Sequence, residues 1–260
     1  MYKIYPKTLF IGQKINYLPT CQSTNDVAAD LIARDEAEEG LLVITDRQTA
    51  GRGQRGNQWQ AEPGQNLTLS LVLRPTFLTA AEQFWLNMAV SVGIYDALAP
   101  LVGDALRIKW PNDVFAGDQK LGGILIENTL QGYHIAYSVI GIGLNVNQTE
   151  FTYSGATSLL ALQPIFGGYE LPPLLSRLCE SLEQRYLQLR AGVQGAATQR
   201  ELLKAAYLQQ LYRYGEEHSF AAGNDKFRGT IIGIDAGGRL AIQTDRGLRF
   251  FAFKEVTFMH

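Results

Sequence analysis

Cysteine, histidine and net charge are all scarce in this 260-residue sequence, and each shortage excludes a class of protein. The two cysteines, Cys21 and Cys179, stand far apart, so a disulfide framework is not expected. The three histidines, His134, His218 and His260, show no metal-ligand spacing. The net charge is -2 and the pI about 6.0, so no basic field attracts nucleic acid or an anionic membrane. We expect a protein without a structural metal.

Long apolar runs are missing as well. No stretch approaches the roughly 18 consecutive apolar residues of a membrane-spanning helix, and residues 1–6 lack the apolar core of a signal peptide. Hydrophobic residues nevertheless make up 46% of the chain, which is enough to bury a substantial core. The sequence therefore predicts a soluble, cytoplasmic protein with one large domain, or with a main domain and a small one.

Residue patterns predict alternating helices and strands after an irregular arm at residues 1–22. Ser23 and Asp26 have the spacing of a capping box, which predicts a helix start. Alternating apolar residues at 67–73 predict a half-buried strand, and a hairpin is expected over 106–126. The other expected elements are strands at 41–44 and 135–140 and helices at 84–95, 171–189 and 197–212.

The pattern changes after Gly215. Short apolar segments at 227–234, 239–244 and 248–253 are separated by glycine turns. Short strands of this kind indicate a small β-barrel. We therefore predict two domains, residues 1–213 and residues 214–260.

The segment 49–59 is the first that could carry chemistry, because it has three glycines within six positions and two arginines. Glycines let backbone N–H groups approach a ligand closely, and arginine offers a planar fork for phosphate or carboxylate oxygens. The spacing is neither that of a P-loop nor that of the dinucleotide-binding fingerprint. Two interpretations stay open, an anion-binding loop and a flexible solvated turn.

A second motif, Lys109-Trp110-Pro111-Asn112-Asp113, lies within the expected hairpin. Proline removes a backbone donor and bends the strand, so it would present Asn112 and Asp113 together. The amide can donate and accept hydrogen bonds, and the carboxylate can hold Mg²⁺. The alternative is an ordinary turn, since Asn-Asp pairs commonly form turns.

A lysine and an amide follow on the next two strands. Lys120 precedes Gly122 and Gly123, which suit close backbone packing or approach of a ligand. This lysine could neutralise a carboxylate and an α-phosphate as they meet, or it could be a solvated residue beside a turn. Asn145 follows a glycine-containing strand end, and an amide there matches the donor–acceptor pattern of adenine or simply ends the strand.

Taken together, these segments resemble the biotin–protein ligase family, the biotin–[acetyl-CoA-carboxylase] ligases. The residues that carry the resemblance are Ser23-Thr24-Asn25 and the segments 51–59, 109–113, 120–127 and 141–146. They occur in the order of the family and at similar separations, and the C-terminal β module also fits.

The resemblance implies an α+β fold. A mixed β-sheet catalytic domain of the biotin/lipoate protein ligase type, similar to class II aminoacyl-tRNA synthetases, would precede a small SH3-like β-barrel. It also implies a reaction in two steps, with ATP, Mg²⁺ and biotin. The biotin carboxylate attacks the α-phosphate of ATP to give biotinyl-5′-AMP and pyrophosphate. A lysine of a biotin carboxyl carrier protein, the acetyl-CoA carboxylase subunit, then attacks this anhydride and releases AMP.

The resemblance further implies a role for individual residues. Lys120 and Arg52 would be catalytic, and Asp113 would be the metal ligand. The implied biotin-binding residues are Ser23, Thr24, Asn25, Gln48, Gly51, Arg52, Lys120, Gly123 and Gly143. The implied ATP- or adenylate-binding residues are Gly53, Gln54, Arg55, Trp59, Asn112 and Asn145.

The chain departs from the family pattern in the segment 51–59. Many bacterial members carry arginine where this chain has Gln54 and Asn57, so positive charge is removed from the loop. This puts in doubt whether the adenylate is retained in the same way. The aromatic residue that covers adenine in some members has no single match, and Phe151 and Tyr153 are the two candidates.

Several alternatives remain at this point. A lipoate–protein ligase or octanoyltransferase shares the expected fold but lacks the motifs at 51–59 and 109–113, and a non-catalytic biotin- or nucleotide-binding regulator would not need Lys120, Arg52 and Asp113. A scaffold that docks a carrier protein through the β module has no specific motif behind it. Because the catalytic pattern begins by residue 23, we expect a ligase-only form without a DNA-binding domain. A homodimer is left open.

Overall fold

The larger part of the chain folds around one mixed β-sheet. A computed structural model describes residues 3–193, 195 and 197–259, without the side chains of Arg55 and Ala197. Within those residues the strands of this sheet are β1 (Ile15–Cys21), β2 (Leu42–Gln48), β3 (Leu67–Leu73), β4 (Leu106–Lys109), β5 (Asp113–Ala116), β6 (Gln119–Gln131) and β7 (His134–Leu144). They lie in the order β1-β2-β3-β7-β6-β5-β4, with β1 parallel to β2 and all other neighbours antiparallel.

Helices cover both faces of this sheet. In the described ranges they are α1 (Thr24–Ala33), α2 (Gln83–Val102), α3 (Leu159–Leu162), α4 (Leu171–Val193) and α5 (Ala197–Gln209). Helices α2, α4 and α5 share one core with the sheet, and α1 packs on the other face, where Ala28 meets Val43 and Val72. Strand β3 is consequently buried at every position. The strand expected at 67–73 is therefore confirmed, but the expectation that one of its faces is exposed is wrong.

The hairpin and the long helices agree with the sequence patterns. The segment 106–126 forms β4, β5 and the first part of β6, and the three expected helices are α2, α4 and α5. The predicted start of α1 is also confirmed. The predicted capping box is wrong, because the Ser23 side chain makes no capping hydrogen bond. The prediction that residues 1–22 form an irregular arm is wrong in part, because this segment contains β1, which pairs with β2.

A second sheet follows at the C-terminal end. It consists of β8 (Glu217–Ala222), β9 (Asp225–Ile234), β10 (Leu240–Thr244), β11 (Gly247–Phe251) and β12 (Thr257–Phe258), all antiparallel, in the order β11-β10-β9-β8-β12. Strands β8 and β12 were not expected. The indole Nε1 of Trp110 donates a hydrogen bond to the carbonyl of Gly238 at 2.9 Å, and this contact ties the module to the larger sheet. The domain boundary near residue 213 and the SH3-like closure stay predictions.

Helix α2 is the most apolar of the longer helices in the described ranges. Judged by length and hydropathy alone, the segment Ala80–Ala105 would be long enough to cross a membrane, although its most apolar window is 61% buried within the protein. Gly93 lies at its crossing with α4, where an added Cβ would come within 3.0 Å of the Leu182 Cα atom. The apolar surface of α2 is thus used for packing against neighbouring elements.

A buried carboxylate anchors the N-terminal arm to α4. Glu183 is 5% exposed and accepts hydrogen bonds from the backbone N–H groups of Leu9, Phe10 and Ile11. A carboxylate accepts hydrogen bonds through both oxygens, whereas a glutamine presents an NH₂ group at one of these positions. Three consecutive backbone N–H groups before β1 are therefore held by one side chain.

We predict that Glu183→Gln lowers the free energy of unfolding by roughly 3 kcal/mol, because it replaces charge-assisted hydrogen bonds with an unmatched donor. Urea unfolding followed by circular dichroism measures this. Glu180→Gln is the matched control, since Glu180 accepts one exposed hydrogen bond, from Lys7, and should change stability by about 0.5 kcal/mol or less. Equal effects of the two substitutions would contradict the anchoring role.

Candidate active site

A cleft of about 540 Å³ lies where the larger sheet, the loop at 51–59 and the C-terminal module meet. The strand and helix ends that carry the motifs converge on it. Of the residues expected at biotin, those bordering the cleft are Ser23, Thr24, Asn25, Gln48, Arg52, Lys120, Gly123 and Gly143. Of the residues expected at ATP or at the metal ion, those bordering the cleft are Gly53, Gln54, Trp59, Asn112 and Asp113. Segments distant in the sequence thus share one cavity.

Two predicted residues, Gly51 and Asn145, are placed differently. Gly51 does not border the cleft; its carbonyl accepts from the Trp59 N–H at 3.0 Å, and an added Cβ would lie 2.4 Å from the Trp59 carbonyl oxygen. Asn145 is buried behind the cleft, where its amide donates to the Thr157 carbonyl at 2.9 Å. The side chain of Arg55 lies outside the described residues. The binding roles expected for these residues stay predictions.

The N-terminal turn of α1 buries a polar cluster instead of an apolar face. The hydroxyl of Ser70 lies within hydrogen-bond distance of Thr24 Oγ1 and Asn25 Oδ1, at 2.7 and 2.6 Å. Thr24 donates through its backbone N–H and its hydroxyl to Gln48 Oε1, and Asn25 Nδ2 donates to Glu127. Because these polar side chains are hydrogen-bonded to one another, they hold donors and acceptors at defined positions where Thr24, Asn25 and Gln48 border the cleft.

The loop at 51–59 closes on itself as a short hairpin. Arg52 and Gln58 form an isolated antiparallel bridge, and the Gly53 N–H donates to the Asn57 carbonyl at 2.7 Å. A 3₁₀ turn at Gln54–Gly56 forms the tip. The glycine-rich segment is therefore a short hairpin, and it places Gln54 and Asn57 at the cleft.

The indole of Trp59 lies on the sheet at Gly143. An added Cβ at Gly143 would be 2.3 Å from Trp59 Cε2, so a side chain at this position would displace the ring. The Trp59 Nε1 atom is buried and has no hydrogen-bond partner among the described residues. Trp59 borders the cleft, whereas Phe151 and Tyr153, the two residues considered from the sequence, do not.

The guanidinium of Arg52 is paired with two carboxylates. It donates to both oxygens of Glu127 at 3.0 and 3.1 Å and to Asp26 Oδ1 at 2.6 Å. The side chain is exposed at the mouth of the cleft, so these ion pairs are screened by solvent. To clamp an anionic ligand, Arg52 would have to exchange these partners.

Lys120 and Asp113 form an ion pair inside the cleft, with 2.7 Å between Nζ and Oδ1. Strands β5 and β6 pair at this point, and Asp113 lies opposite Gly123 in the register. An added Cβ at Gly123 would be 3.2 Å from the Lys120 ammonium and 3.3 Å from Asp113 Oδ1. The glycine thus leaves the space that the ion pair occupies.

Asn112 stabilises the turn that presents Asp113. Its amide donates to the Ile124 carbonyl at 2.5 Å, and its own carbonyl accepts from the Ile124 N–H at 2.9 Å. The preceding peptide bond, between Trp110 and Pro111, is cis. The motif is therefore both a turn former and a wall of the cleft, so the two interpretations of its sequence do not exclude each other.

Lys109 borders the cleft although no role was assigned to it from the sequence. Its ammonium lies 4.2 Å from the ring centroid of Phe115, 5.5 Å from that of Tyr212 and 5.2 Å from that of Phe258. Burial lowers the pKa of this ammonium, and the nearby carboxylate of Asp113 opposes the shift. Its position at the start of the motif at 109–113 was the signal that could have identified it.

The C-terminal module contributes a wall that sequence reasoning missed. Phe253, Lys254, Thr257 and Phe258 border the cleft, more than a hundred residues after the last motif. The segment has no motif of its own, and only the docking of the second sheet on Trp110 brings it to the cleft. This wall therefore depends on tertiary structure.

The carboxylate of the cleft suits a metal ion that is bound jointly by the protein and a substrate phosphate better than a metal ion bound by protein groups alone. Within the described ranges there is no group of three or more His, Cys, Asp or Glu side chains that could hold a metal ion, and His260 lies outside them. Among the residues bordering the cleft, Asp113 is the carboxylate. Mg²⁺ is commonly held by one or two carboxylates together with substrate phosphates.

Comparison with known proteins gives one consistent family. The biotin/lipoate A/B protein ligase family matches residues 17–145. The bifunctional ligase/repressor BirA of Bacillus subtilis is 31% identical over 249 residues, covering 94% of this chain and 73% of that protein. The biotin–[acetyl-CoA-carboxylase] ligase of Paracoccus denitrificans is 32% identical over 223 residues, covering 83% of this chain and 89% of that protein.

The solved structures agree on the fold. A biotin protein ligase from Aquifex aeolicus, in complex with biotin and ATP, superposes with a TM-score of 0.77 at 23% identity. The match covers 95% of this chain and 99% of that one. The larger sheet, its helices and the C-terminal sheet therefore form the biotin protein ligase fold.

We predict that Gly143→Ala displaces the Trp59 indole from the sheet, because the added methyl group would overlap the ring. The intrinsic fluorescence of the protein, which has three tryptophans, should then shift to longer wavelength as Trp59 becomes solvated. Gly233→Ala is the control, because a Cβ at this strand glycine would meet no atom within 4 Å. An unchanged spectrum of the Gly143 variant would contradict the packing of Trp59.

Proposed function

This chain belongs to the biotin/lipoate A/B protein ligase family, and we propose that it joins biotin to a lysine of a biotin carboxyl carrier protein in an ATP-dependent reaction. Relatives named biotin–[acetyl-CoA-carboxylase] ligase support this choice of substrate and acceptor. The observation that carries the proposal is the Lys120–Asp113 ion pair, which lies in a cleft bordered by the other predicted motifs.

The first step joins two anions, and the cleft offers charge to offset their repulsion. An oxygen of the biotin carboxylate forms a bond to the α-phosphorus of ATP, and the bond to pyrophosphate breaks. Lys120 stabilises the charge that builds up on the α-phosphate, with no need for a protein nucleophile. Asp113 holds the lysine in position and would also hold Mg²⁺ together with phosphate oxygens, where the ion supplies further charge neutralisation.

One end of the cleft suits the biotin ring system. The polar cluster of Ser70, Thr24, Asn25 and Gln48 provides hydroxyl and amide groups for a ureido ring, which both donates and accepts hydrogen bonds. Apolar residues such as Leu69 and Ile142 border the same cavity and suit the ring carbons and the aliphatic tail. Ser23, Gly123 and Gly143 complete the biotin site that we propose.

The remaining residues are assigned to the nucleotide. The Trp59 indole covers the sheet at Gly143 and carries an unpaired donor, and Asn112 forms the adjacent wall. The loop containing Gly53 and Gln54 lies over the cleft, where it would shield the anhydride from water. Arg52 reaches the phosphate only after leaving Glu127, so we propose that ligand binding replaces this ion pair.

The second step requires access for a large partner. The neutral amine of the acceptor lysine attacks the carbonyl carbon of biotinyl-5′-AMP, and AMP leaves with the electron pair of the broken C–O bond. We propose the biotin carboxyl carrier protein as the partner and the cytoplasm as the compartment. A homodimer stays a prediction from the sequence.

A lipoate ligase is the alternative within the same family, and a non-catalytic binding protein is the alternative outside it. A pyrophosphate-exchange assay distinguishes a biotin ligase from a lipoate ligase. Purified protein is incubated with ATP, labelled pyrophosphate and either biotin or lipoate, and each acid supports exchange only if it is adenylated. Mass spectrometry of carrier protein then tests transfer. Exchange with lipoate alone, or biotin binding without exchange, would overturn the proposed function.

We predict that Lys120→Ala lowers the rate of biotin-dependent pyrophosphate exchange by about 10²- to 10³-fold, because one positioned cation is lost where charge develops. The fold should persist, as measured by circular dichroism. Lys14→Ala is the control, since Lys14 forms an exposed ion pair with Glu38 at the surface. Exchange at the wild-type rate in the Lys120 variant would remove this residue from the mechanism.

A further inference from the structure

Lys254 occupies a backbone conformation that normally favours glycine. Its φ angle is +70°, in the left-handed region that lysine rarely adopts. It is the third residue of a turn that is closed by a hydrogen bond from the Glu255 N–H to the Ala252 carbonyl at 3.0 Å. Turns of this kind commonly place glycine at the position with positive φ. A lysine held in such a conformation at a ligand site suggests a functional use of its side chain.

The turn containing Lys254 forms part of the cleft wall. Lys254 borders the cavity together with Phe253 and Phe258 of the same segment. The ammonium of Lys109, which borders the cavity from the larger sheet, lies over the ring of Phe258. Two lysines from different sheets therefore meet the cavity along residues 253–258.

Cations border the cleft from several parts of the fold. At the mouth, Arg52 is paired with Asp26 and Glu127, and along β5 and β6 Lys120 is paired with Asp113. The loop at 51–59 contributes neutral Gln54 and Asn57 to the lining. Lys109 has no carboxylate within ion-pair distance among the described residues. Positive charge on the side of the C-terminal module thus comes from Lys109 and Lys254.

We infer that Lys254 binds the phosphate tail of ATP and stabilises the pyrophosphate that leaves from it. This inference rests on the proposed adenylation and adds to it a residue for the leaving group. When the bond between the α-phosphorus and the bridging oxygen breaks, that oxygen keeps the electron pair, and negative charge increases on pyrophosphate. The ammonium of Lys254 offsets this charge, which the neutral side chains of Gln54 and Asn57 do not do.

The test compares Lys254→Gly with Lys254→Arg in biotin-dependent pyrophosphate exchange. Glycine relieves the positive φ angle but removes the charge, so the variant should melt about 2 °C higher than the wild type. Its KM for ATP and its KM for pyrophosphate should each rise about tenfold, which corresponds to about 1.4 kcal/mol. The KM for biotin and the transfer of biotin from preformed biotinyl-5′-AMP to carrier protein should not change. Lys254→Arg should keep both phosphate-related KM values near those of the wild type.

Asp35→Gly is the matched control for backbone strain. Asp35 also has a positive φ angle, +58°, but it is exposed beyond the end of α1 and does not border the cleft. Its variant should gain stability with unchanged kinetics. Unchanged KM values for ATP and pyrophosphate in Lys254→Gly would overturn the inference, as would an arginine variant that behaves like the glycine variant. Failure of the wild-type protein to catalyse any exchange would instead reject the proposed function.

Discussion

The site depends on a patch of β-sheet that has no side chains. Gly123 of β6 and Gly143 of β7 are register partners, and Gly141 lies two residues from Gly143 on the same face. The space above each glycine is used by a different part of the site. An added Cβ would meet the Lys120–Asp113 pair at Gly123, the Trp59 indole at Gly143 and, at 2.5 Å, Asn25 Oδ1 at Gly141. The ion pair, the aromatic cover and the polar cluster can approach one surface because these three positions lack Cβ atoms.

Two of the cations near this patch are paired with carboxylates. Arg52 is paired with Glu127 and Asp26, and Lys120 with Asp113. Such pairs keep the side chains ordered, and in a partly buried cleft they limit the cost of unpaired charge. An anionic substrate can replace a carboxylate in such a pair, whereas a neutral one cannot. The arrangement therefore suits a reaction in which a carboxylate and a polyphosphate bind together.

Much of the fold could be predicted because the relevant signals are local. The hairpin of β4, β5 and β6 follows from strand periodicity and a turn, and α2, α4 and α5 follow from apolar spacing. Strand β1 could not be predicted in this way, because none of its residues is fully buried and its pairing partner, β2, follows after an intervening helix. The capping box at Ser23 failed for a related reason, since the neighbouring Thr24 and Asn25 are drawn into contacts with distant Gln48 and Glu127.

The sequence by itself determined the chemical groups of the site and the family, because the motifs are short and their residues act through their own chemistry. Residue type and spacing marked Lys120, Asp113 and the glycines as candidates, and the family resemblance implied their roles. Only the tertiary structure decided which groups face the cavity, because orientation depends on contacts between segments far apart in the chain. It left Asn145 outside the cleft lining, paired Arg52 with Glu127, and brought Lys254 of the C-terminal module to the cleft wall.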